Sequence, residues 1–353
     1  MSKNINHKIA IVLLNLGGPD KLSSVRPFLF NLFNDKFIIR LPKILRYIVA
    51  FIISTSRYKS SKINYSMIGG KSTLLEETTI QKQYIEKYLI ENNLLDFDFK
   101  IFISMRYWYP TSQQVVTNIK SYDPKEIILL PLYPQFSTTT TQSSILDFKH
   151  SLAKEKLFNI PIKSVCCYYN DDDFISAHIN LIKQSILKIS NNKSYKIIFS
   201  AHSLPLSTVK SGDPYQWQIE QTVEEIVKRL KINKLKFKIA YQSKIGPIEW
   251  LSPSTEDEII NTNKSGENII LVPISFVSEH IETLVELDIE YKLLVKNSDL
   301  LYIRVPTLRI DKYFIKSLAN LIKKLVVIPG DFITSNKLCR QCPKDFKFCL
   351  YKN

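Results

Sequence analysis

The chain has 353 residues, of which 45% are hydrophobic and 23% are charged, as is typical of a folded globular protein. Because a single core rarely grows beyond about 250–300 residues, this length predicts two domains. The net charge of +15 is spread along the chain rather than gathered in one basic tract. This distribution argues against a groove for nucleic acid, and we expect no nucleic-acid partner.

The sequence shows neither a secretory signal nor a membrane-spanning stretch. Its most apolar part, 27–54, is interrupted by Lys36, Arg40, Lys43 and Arg46, whereas a span requires roughly 20 apolar residues in a row. The five cysteines are therefore expected to be reduced thiols in a cytoplasmic protein.

Short apolar runs alternate with longer amphipathic segments along the chain. The predicted strands are 9–14, 100–105, 127–132, 164–168, 196–200, 237–241, 269–274 and 301–305. Strands that alternate with helices predict βαβ units and parallel sheets. Two similar stretches, IILLPLYPQFSTTTT at 127–141 and IILVPISFVSEHIET at 269–283, favour two halves of four strands each. We therefore predict an α/β fold of two doubly wound domains, with a boundary near 170–195.

The segments that directly follow the predicted strands have a common composition. They are rich in aromatic and small polar residues, as in MRYWYP, YPQFSTTTTQSS, AHSLP and QSKIGPIEW. Ligands of doubly wound sheets bind beyond the carboxyl ends of the strands, and this composition suits a flat apolar ligand. The chain has no G-x-G-x-x-G or G-x-S-x-G motif, and IGGKST at 68–73 lacks the first glycine of a phosphate loop.

A histidine and a row of carboxylates follow two of these strands. His202 lies just past the fifth predicted strand in KIIFSAHSLP, and Glu279, Glu282, Glu286 and Glu290 follow the seventh at spacings of 3, 4 and 4 residues. On an α-helix this spacing aligns the carboxylates on one face, where they attract cations. An imidazole can bind a metal or accept a proton near neutral pH. Together these groups suit a reaction that delivers a divalent metal and removes protons.

The C-terminal stretch CRQCPKDFKFC contains Cys339, Cys342 and Cys349 in a C-x2-C-x6-C spacing. Thiolates with this spacing suit zinc or an iron–sulfur cluster, and either centre requires a fourth ligand. Cys166 and Cys167 are the other cysteines of the chain. Because neighbours on a strand point to opposite faces, we expect at most one of them to coordinate.

Eight stretches taken together resemble the ferrochelatase family from residue 8 to about 330. They are, in order, LLNLGGPD, IGGKSTL, MRYWYP, YPQFSTTTTQSS, FSAHSLP, GDPYQ, YQSKIGPIEWL and VPISFVSEHIETLVELDIEY. The resemblance implies the chelatase class II fold, with two flavodoxin-like, Rossmann-like domains, a four-stranded parallel sheet in each and a porphyrin cleft between them. The implied domains are 8–170 and 190–325, followed by an extension at 326–353. The implied activity inserts Fe²⁺ into protoporphyrin IX, the terminal step of haem synthesis.

The resemblance also implies roles for the histidine and the carboxylates. His202 and Glu282 match the pair that binds the substrate iron, and His202 is also implied as the base that takes a pyrrole proton. Glu286 and Glu290 match an acidic path for protons or metal. This path lies on a helix that the family distorts towards π geometry, a feature frequent at functional sites.

Other residues match the family's porphyrin pocket and its membrane contact. The implied pocket residues are Arg106, Tyr107 and Trp250. The apolar segment 28–53 matches a lip that faces the membrane surface, and the implied contacts to lipid headgroups are Arg40, Lys43 and Arg46. We therefore expect a cytoplasmic protein, peripheral on the inner face of the cytoplasmic membrane, as a monomer or a homodimer.

For the tail, the resemblance implies a 2Fe–2S cluster held by Cys339, Cys342 and Cys349. Animal members of the family supply the fourth cysteine from a loop position that is Thr138 here. We therefore expect Cys166 or Cys167 to replace it, with zinc as the alternative occupant. Two alternatives to the implied function also stay open. One is a chelatase for coproporphyrin or, with cobalt, for a sirohydrochlorin, and the other is a non-catalytic carrier of haem or metal.

Overall fold

The computed structural model describes residues 4–190, 193–297 and 299–351. The strands within these ranges are β1 (Asn4–Asn15), β2 (Phe97–Met105), β3 (Glu126–Pro131), β4 (Ile162–Cys167), β5 (Tyr195–His202), β6 (Phe237–Gln242), β7 (Asn268–Pro273), β8 (Tyr302–Arg304) and β9 (Phe332–Ser335). The eight predicted strands correspond to β1 to β8, and β9 is additional.

Helices connect most of these strands. The α-helices of the described ranges are α1 (Val25–Phe33), α2 (Lys43–Met67), α3 (Leu74–Glu91), α4 (Ser112–Tyr122), α5 (Ser143–Lys154), α6 (Asp172–Ile186), α7 (Leu206–Lys210), α8 (Tyr215–Leu230), α9 (Thr255–Lys264) and α10 (Lys312–Val326). The segments Thr138–Gln142 and Glu282–Glu290 have π-helical geometry. Short 3₁₀ turns lie at Leu22–Ser24 and Tyr291–Leu294. No helix among the described residues has both the length and the apolar character needed to cross a membrane.

The starts of several helices follow from their local sequence. The side chain of Thr111 accepts a hydrogen bond from the N–H of Gln114, whose own side chain accepts from Thr111, and this capping box begins α4. The side chains of Asp171 and Ser254 cap α6 and α9 in the same position. Such caps satisfy N–H groups that have no partner within the helix.

The first sheet is parallel and has the strand order β2-β1-β3-β4-β9. Residues 9–14 of the central strand β1 are 0–1% exposed, because elements cover both faces of the sheet. On one face, Val116 of α4 and Phe148 of α5 pack against Val12 and Leu129. Burial on both sides explains why these strands are continuous apolar runs without alternation.

The first sheet has five strands where four are predicted. The additional strand β9 comes from the predicted C-terminal extension and pairs in parallel with β4. The side chain of Asp331 accepts a hydrogen bond from the N–H of Ile162 at 2.6 Å. The buried Nζ of Lys163 lies 2.6 Å from the Glu126 carboxylate and donates to the carbonyl of Val326 at the end of α10. With only four residues, FITS, β9 has no long apolar run to indicate a strand.

The second sheet is also parallel, with the order β6-β5-β7-β8. This order repeats that of the first four strands of the first sheet, so the predicted α/β class with two doubly wound domains is confirmed. The strand order reverses between β5 and β7, which is where ligands of such sheets bind. His202, the last residue of β5, lies at this reversal point.

The chain divides into two compact units, each built on one sheet. The first unit comprises the chain up to Cys167, the segment Leu318–Arg340 and a C-terminal piece from Leu350. The second comprises Tyr168–Ser317 and Gln341–Cys349. The segment expected as an extension therefore contributes to both units.

Candidate active site

His202 is held through its backbone while its side chain stays accessible. The N–H of His202 donates to Oγ of Ser275, just beyond β7, at 3.0 Å. The hydroxyl of Tyr215, the first residue of α8, donates to the His202 carbonyl, also at 3.0 Å. The side chain of His202 is 37% exposed. The fold therefore fixes the position of the imidazole and leaves it open to a ligand.

Glu282 pairs with this imidazole, and the two residues are those expected from the sequence to bind the iron. Nδ1 of His202 lies 2.8 Å from Oε2 of Glu282, the first residue of the π-helical segment Glu282–Glu290. Although burial opposes ionisation, the neighbouring His202 lowers the pKa of Glu282 to about 2. Burial also opposes a charged imidazole, yet the Glu282 carboxylate raises the pKa of His202. Glu282 is therefore ionised at neutral pH.

Glu286 lies one turn further along and has a different electrostatic setting. Its carboxylate accepts hydrogen bonds from the N–H of Ser243 at 2.9 Å, from Oγ of Ser243 at 2.5 Å, from Gln242 at 3.2 Å and from the hydroxyl of Tyr291 at 2.8 Å. Burial and the negative charge of Glu282 nevertheless raise the pKa of Glu286. The two carboxylates thus differ in proton affinity, which is how one site holds an acid and a base.

The predicted row of four carboxylates is wrong in its first member. Glu279 lies before the π-helical segment and pairs with Arg304 at 2.6 Å. At the far end of the row, Glu290 is exposed. Glu279 is not helical, because it lies in the loop before the segment Glu282–Glu290, so helical spacing does not apply to it. The structure therefore brings Glu282 and Glu286 together and leaves Glu279 outside this group.

His280 is a buried neighbour to which the sequence analysis gives no separate role. Its Nδ1 lies 3.2 Å from the carbonyl of Ser278, and its ring lies against Phe276 at 4.7 Å between centroids. Burial lowers the pKa of His280, so the ring is neutral. Ser243 and Gln242 were also without a predicted role, although they lie in the strand-end segment QSKIGPIEW.

Arg106 and Tyr107 follow β2 in the first unit and share a buried carboxylate. The guanidinium of Arg106 lies 2.9 Å from Oδ2 of Asp35 and donates to Oγ of Ser143 at 2.8 Å. The hydroxyl of Tyr107 donates to the same Asp35 oxygen at 2.7 Å. Burial and the Asp35 charge raise the pKa of Tyr107, which therefore stays neutral. Asp35 is a residue of this cluster that sequence reasoning missed.

Trp250, in the second unit, forms an isolated antiparallel bridge with Pro205, three residues after His202. Its indole Nε1 is buried and has no hydrogen-bond acceptor among the residues that the structure describes. An indole N–H normally finds a partner when it is buried. This donor is thus available to a ligand.

The cysteines do not assemble a metal centre in the described parts of the chain. Sγ of Cys166 and Sγ of Cys167 lie 3.6 Å apart, beside an irregularity in the pairing of β4 with β9. Cys342 and Cys349 are buried, whereas Cys339 is exposed. Across residues 4–190, 193–297 and 299–351, no group of three or more His, Cys, Asp or Glu side chains is arranged to hold a metal ion.

Comparison with known proteins decides the family. The sequence model of the family described as ferrochelatase matches residues 8–326. The chain belongs to the ferrochelatase family.

Curated ferrochelatases are similar to the chain over nearly its whole length. Those of Rickettsia conorii and Rickettsia felis are 53% and 52% identical over 346 residues, covering 98% of this chain and 98% of each relative. The ferrochelatase of Pelagibacter ubique is 46% identical over 97% of this chain and 98% of its own length. The chain is accordingly an enzyme, a lyase of the porphyrin metal chelatase class, with a ferrochelatase function in haem synthesis.

Solved structures show the same fold at low sequence identity. SirB from Bacillus subtilis with Fe³⁺ matches with a TM-score of 0.54 and 8% identity, covering 91% of this chain and 96% of that one. The sirohydrochlorin chelatase SirB from Bacillus subtilis subspecies spizizenii, in complex with cobalt, matches with a TM-score of 0.50 and 12% identity, over 90% and 95% of the two chains. These likenesses confirm the chelatase fold that the ferrochelatase resemblance implies.

The opposite pKa shifts of the pair predict how its stabilisation depends on pH. The contribution of His202 is fully present below its ordinary pKa of 6.5 and is lost as the pH rises through the raised folded value. The contribution of Glu282 is present above its ordinary pKa of 4.5 and is lost as the pH falls towards about 2. Glu282→Gln should therefore lower the melting temperature most between about pH 4.5 and 6.5, as measured by thermal unfolding across the pH range.

The matched control is Glu290→Gln, which removes an exposed carboxylate from the same segment. This change should alter the melting temperature little at any pH, because exposed charges contribute little to stability. A decrease for Glu282→Gln that is uniform across the pH range would contradict the pairing.

Proposed function

We propose that the chain inserts Fe²⁺ into protoporphyrin IX, with His202 and Glu282 as the pair that binds the iron. The observation that carries this proposal is the 2.8 Å contact between Nδ1 of His202 and Oε2 of Glu282 beside an accessible imidazole. When Nδ1 carries the proton that Glu282 accepts, Nε2 presents its lone pair. That lone pair can bind Fe²⁺ or take a proton from a pyrrole N–H.

The reaction exchanges one Fe²⁺ for two pyrrole protons, so the site must both bind a cation and remove protons. Glu282 is suited to the first task, because its low pKa keeps it anionic as the iron loses its water. Glu286 is suited to the second, because its raised pKa lets it take up and release protons more readily than Glu282. We assign the next step of this path to Glu290, the exposed carboxylate at the end of the segment.

We assign the porphyrin pocket to Arg106, Tyr107 and Trp250. In the first unit, Asp35 and Ser143 fix the guanidinium of Arg106, and the Tyr107 hydroxyl is fixed by the same carboxylate. Groups held in this way lose little entropy when a ligand binds. In the second unit, the buried indole N–H of Trp250 offers a donor to a polar group of the ligand.

His202→Ala should retain porphyrin but lose metal insertion. The expected decrease in kcat is about 100-fold or more, because a positioned base contributes about 10²–10⁴-fold. We would measure Fe²⁺ insertion without oxygen by the loss of porphyrin fluorescence, and porphyrin binding separately by absorbance. His150→Ala, which removes an exposed histidine of the first unit, serves as the control.

The same assay separates the alternative functions. Protoporphyrin IX, coproporphyrin and, with Co²⁺, sirohydrochlorin would be offered side by side, and preference for either of the last two would replace the proposed substrate. A carrier of haem or metal would bind porphyrin more weakly after His202→Ala and would show no turnover before it. If the wild-type protein metallates none of these tetrapyrroles, the proposal fails.

A 2Fe–2S cluster at Cys339, Cys342 and Cys349, with Cys166 or Cys167 as fourth ligand, is a proposal that rests on the spacing of the tail. The thiols as arranged do not fit such a cluster, because the described residues include no group of metal-ligand side chains. Gln218 donates to Sγ of Cys342 at 3.2 Å, so this thiol already has a polar contact. No step of the proposed reaction runs through the cluster.

Visible absorbance tests the cluster directly. If the cluster forms, protein prepared without oxygen shows thiolate-to-iron charge-transfer bands, and Cys339→Ser abolishes them because it removes a ligand. Metal analysis of the same sample distinguishes iron from zinc. A colourless wild-type protein that contains neither metal would contradict both occupants.

We propose that the segment 28–53 contacts the surface of the cytoplasmic membrane from its inner face. Support comes from its exposed apolar side chains, among which Ile44 is 77% and Ile52 is 58% exposed. Lys43 begins α2 beside them. Arg46 is less available for headgroups than expected, because it donates to the carbonyls of Asn34 and Leu41.

Replacing both Ile44 and Ile52 with Glu should weaken binding to anionic lipid vesicles by more than about tenfold, since each exposed side chain of this size contributes on the order of 1 kcal/mol when buried. Co-sedimentation measures the change. Leu187→Glu, at a side chain that is 83% exposed in the second unit, is the control. Equal binding of the two variants to the vesicles would contradict the proposed membrane contact of segment 28–53.

A further inference from the structure

We propose that Arg304 is a positioning residue for metal insertion, which holds the π-helical segment Glu282–Glu290 in the register that brings Glu282 to His202. This inference rests on the proposed function, because it assumes that Glu282 binds the iron. Arg304 is the last residue of β8, and the sequence analysis gives it no role.

Arg304 contacts the chain both before Glu282 and after Glu286. Its Nη1 lies 2.6 Å from Oε1 of Glu279, three residues before Glu282. Its Nε and Nη2 lie 2.8 and 2.6 Å from the two carboxylate oxygens of Asp288, two residues after Glu286. We call Arg304, Glu279 and Asp288 the Arg304 clamp.

Other residues of β8 and the loop after it also make hydrogen bonds to this part of the chain. The hydroxyl of Tyr302 donates to the carbonyl of Leu287 at 2.6 Å, and the N–H of Thr307 donates to Glu279 at 3.0 Å. Leu287 itself is fully buried in the core against Ile198 and Leu271. The segment is therefore fixed by an apolar anchor on one side and by the clamp on the other.

The burial of the pair between Arg304 and Glu279 makes this arm of the clamp more than a surface ion pair. The side chains of Arg304 and Glu279 are 12% and 11% exposed, whereas that of Asp288 is 34% exposed. Although burial disfavours its charge, Glu279 has its pKa lowered by Arg304. Removing a partner from a buried pair leaves an uncompensated charge, which is strongly unfavourable. Without Arg304 the carboxylates of Glu279 and Asp288 would repel each other, and this repulsion would displace the segment Glu282–Glu290.

A π-helix is rare and persists where its surroundings over-determine it. The Arg304 clamp supplies this constraint, because it fixes two points that lie nine residues apart in sequence, at Glu279 and Asp288. A shift of the segment by a fraction of a turn would separate Glu282 from Nδ1 of His202 and Glu286 from Ser243. A misplacement of about 1 Å can cost a reaction about 100-fold.

Arg304→Gln should therefore lower kcat for Fe²⁺ insertion by about 100-fold. It should also raise the KM for Fe²⁺, because the Glu282 carboxylate would no longer lie against the imidazole. A smaller fraction of folded protein would lower kcat without changing this KM.

The matched control is Arg229→Gln. Arg229 also pairs with two carboxylates, at 2.6 Å from Asp172 and 3.2 Å from Glu225, but it lies on α8 and is 34% exposed. Its loss should change kcat by less than about twofold, because exposed ion pairs contribute little.

Asp288→Asn removes one arm of the clamp and Tyr302→Phe removes a supporting hydrogen bond, and both should fold if Arg304→Gln does not. Each should give a smaller loss of kcat with the same direction of change in the KM for Fe²⁺. The double variant Arg304→Gln, Asp288→Asn should have the same kcat as Arg304→Gln alone. The contact between Arg304 and Asp288 is already lost in the single variant, so the second change removes nothing more.

Two results would overturn the positioning role. One is full activity of Arg304→Gln. The other is a loss of activity that follows the fraction of folded protein and leaves the KM for Fe²⁺ unchanged, which would make Arg304 a purely structural residue. Glu282→Gln distinguishes a failure of the positioning role from a failure of the proposed function. If Glu282→Gln still inserts iron, Glu282 does not bind the iron, and this conclusion does not depend on the result for Arg304→Gln.

Discussion

The hydrogen bond between His202 and Glu282 joins the end of β5 to the start of the π-helical segment, and the second unit fixes both of its ends. The backbone of His202 is fixed, because its N–H donates to Ser275 and its carbonyl accepts from Tyr215. The carboxylate begins a helix of unusual geometry, which cannot define its own register. Strand β8 supplies that register from outside. The contacts that fix the pair are therefore made by the backbone of His202 and by β8, and the exposed part of the imidazole can bind a ligand.

Electrostatics then separates two carboxylates that differ little in sequence. Glu282 faces an imidazole and is ionised, whereas Glu286 faces Glu282 and holds its proton more tightly. Ser243 donates to Glu286 through both its N–H and its hydroxyl, so the second carboxylate is held in place while its pKa stays raised. A cation entering such a site meets a fixed negative charge, and a departing proton meets an acceptor of suitable strength.

Much of the fold could be predicted because each parallel strand buried on both faces is a continuous apolar run. That His202 at the end of β5 would lie near the carboxylates after β7 could be predicted, because the topology places these two strands side by side. Glu279 was misplaced because helical spacing was extended to a residue that lies in the loop before the helix begins. Asp35 left no signal, since 71 residues separate it from Arg106. The short strand β9 carries too few apolar side chains to be recognised without its partner β4.

The membership of β9 in the first sheet has a consequence for synthesis of the chain. Domains generally fold as units while the chain emerges from the N-terminus. The first unit starts earliest, but its sheet lacks an edge strand until Phe332–Ser335 has been made. By then the whole of Tyr168–Ser317, which includes the complete second sheet, has already been synthesised. The unit that begins first is thus the last to close its sheet, with β4 as a temporary open edge during translation.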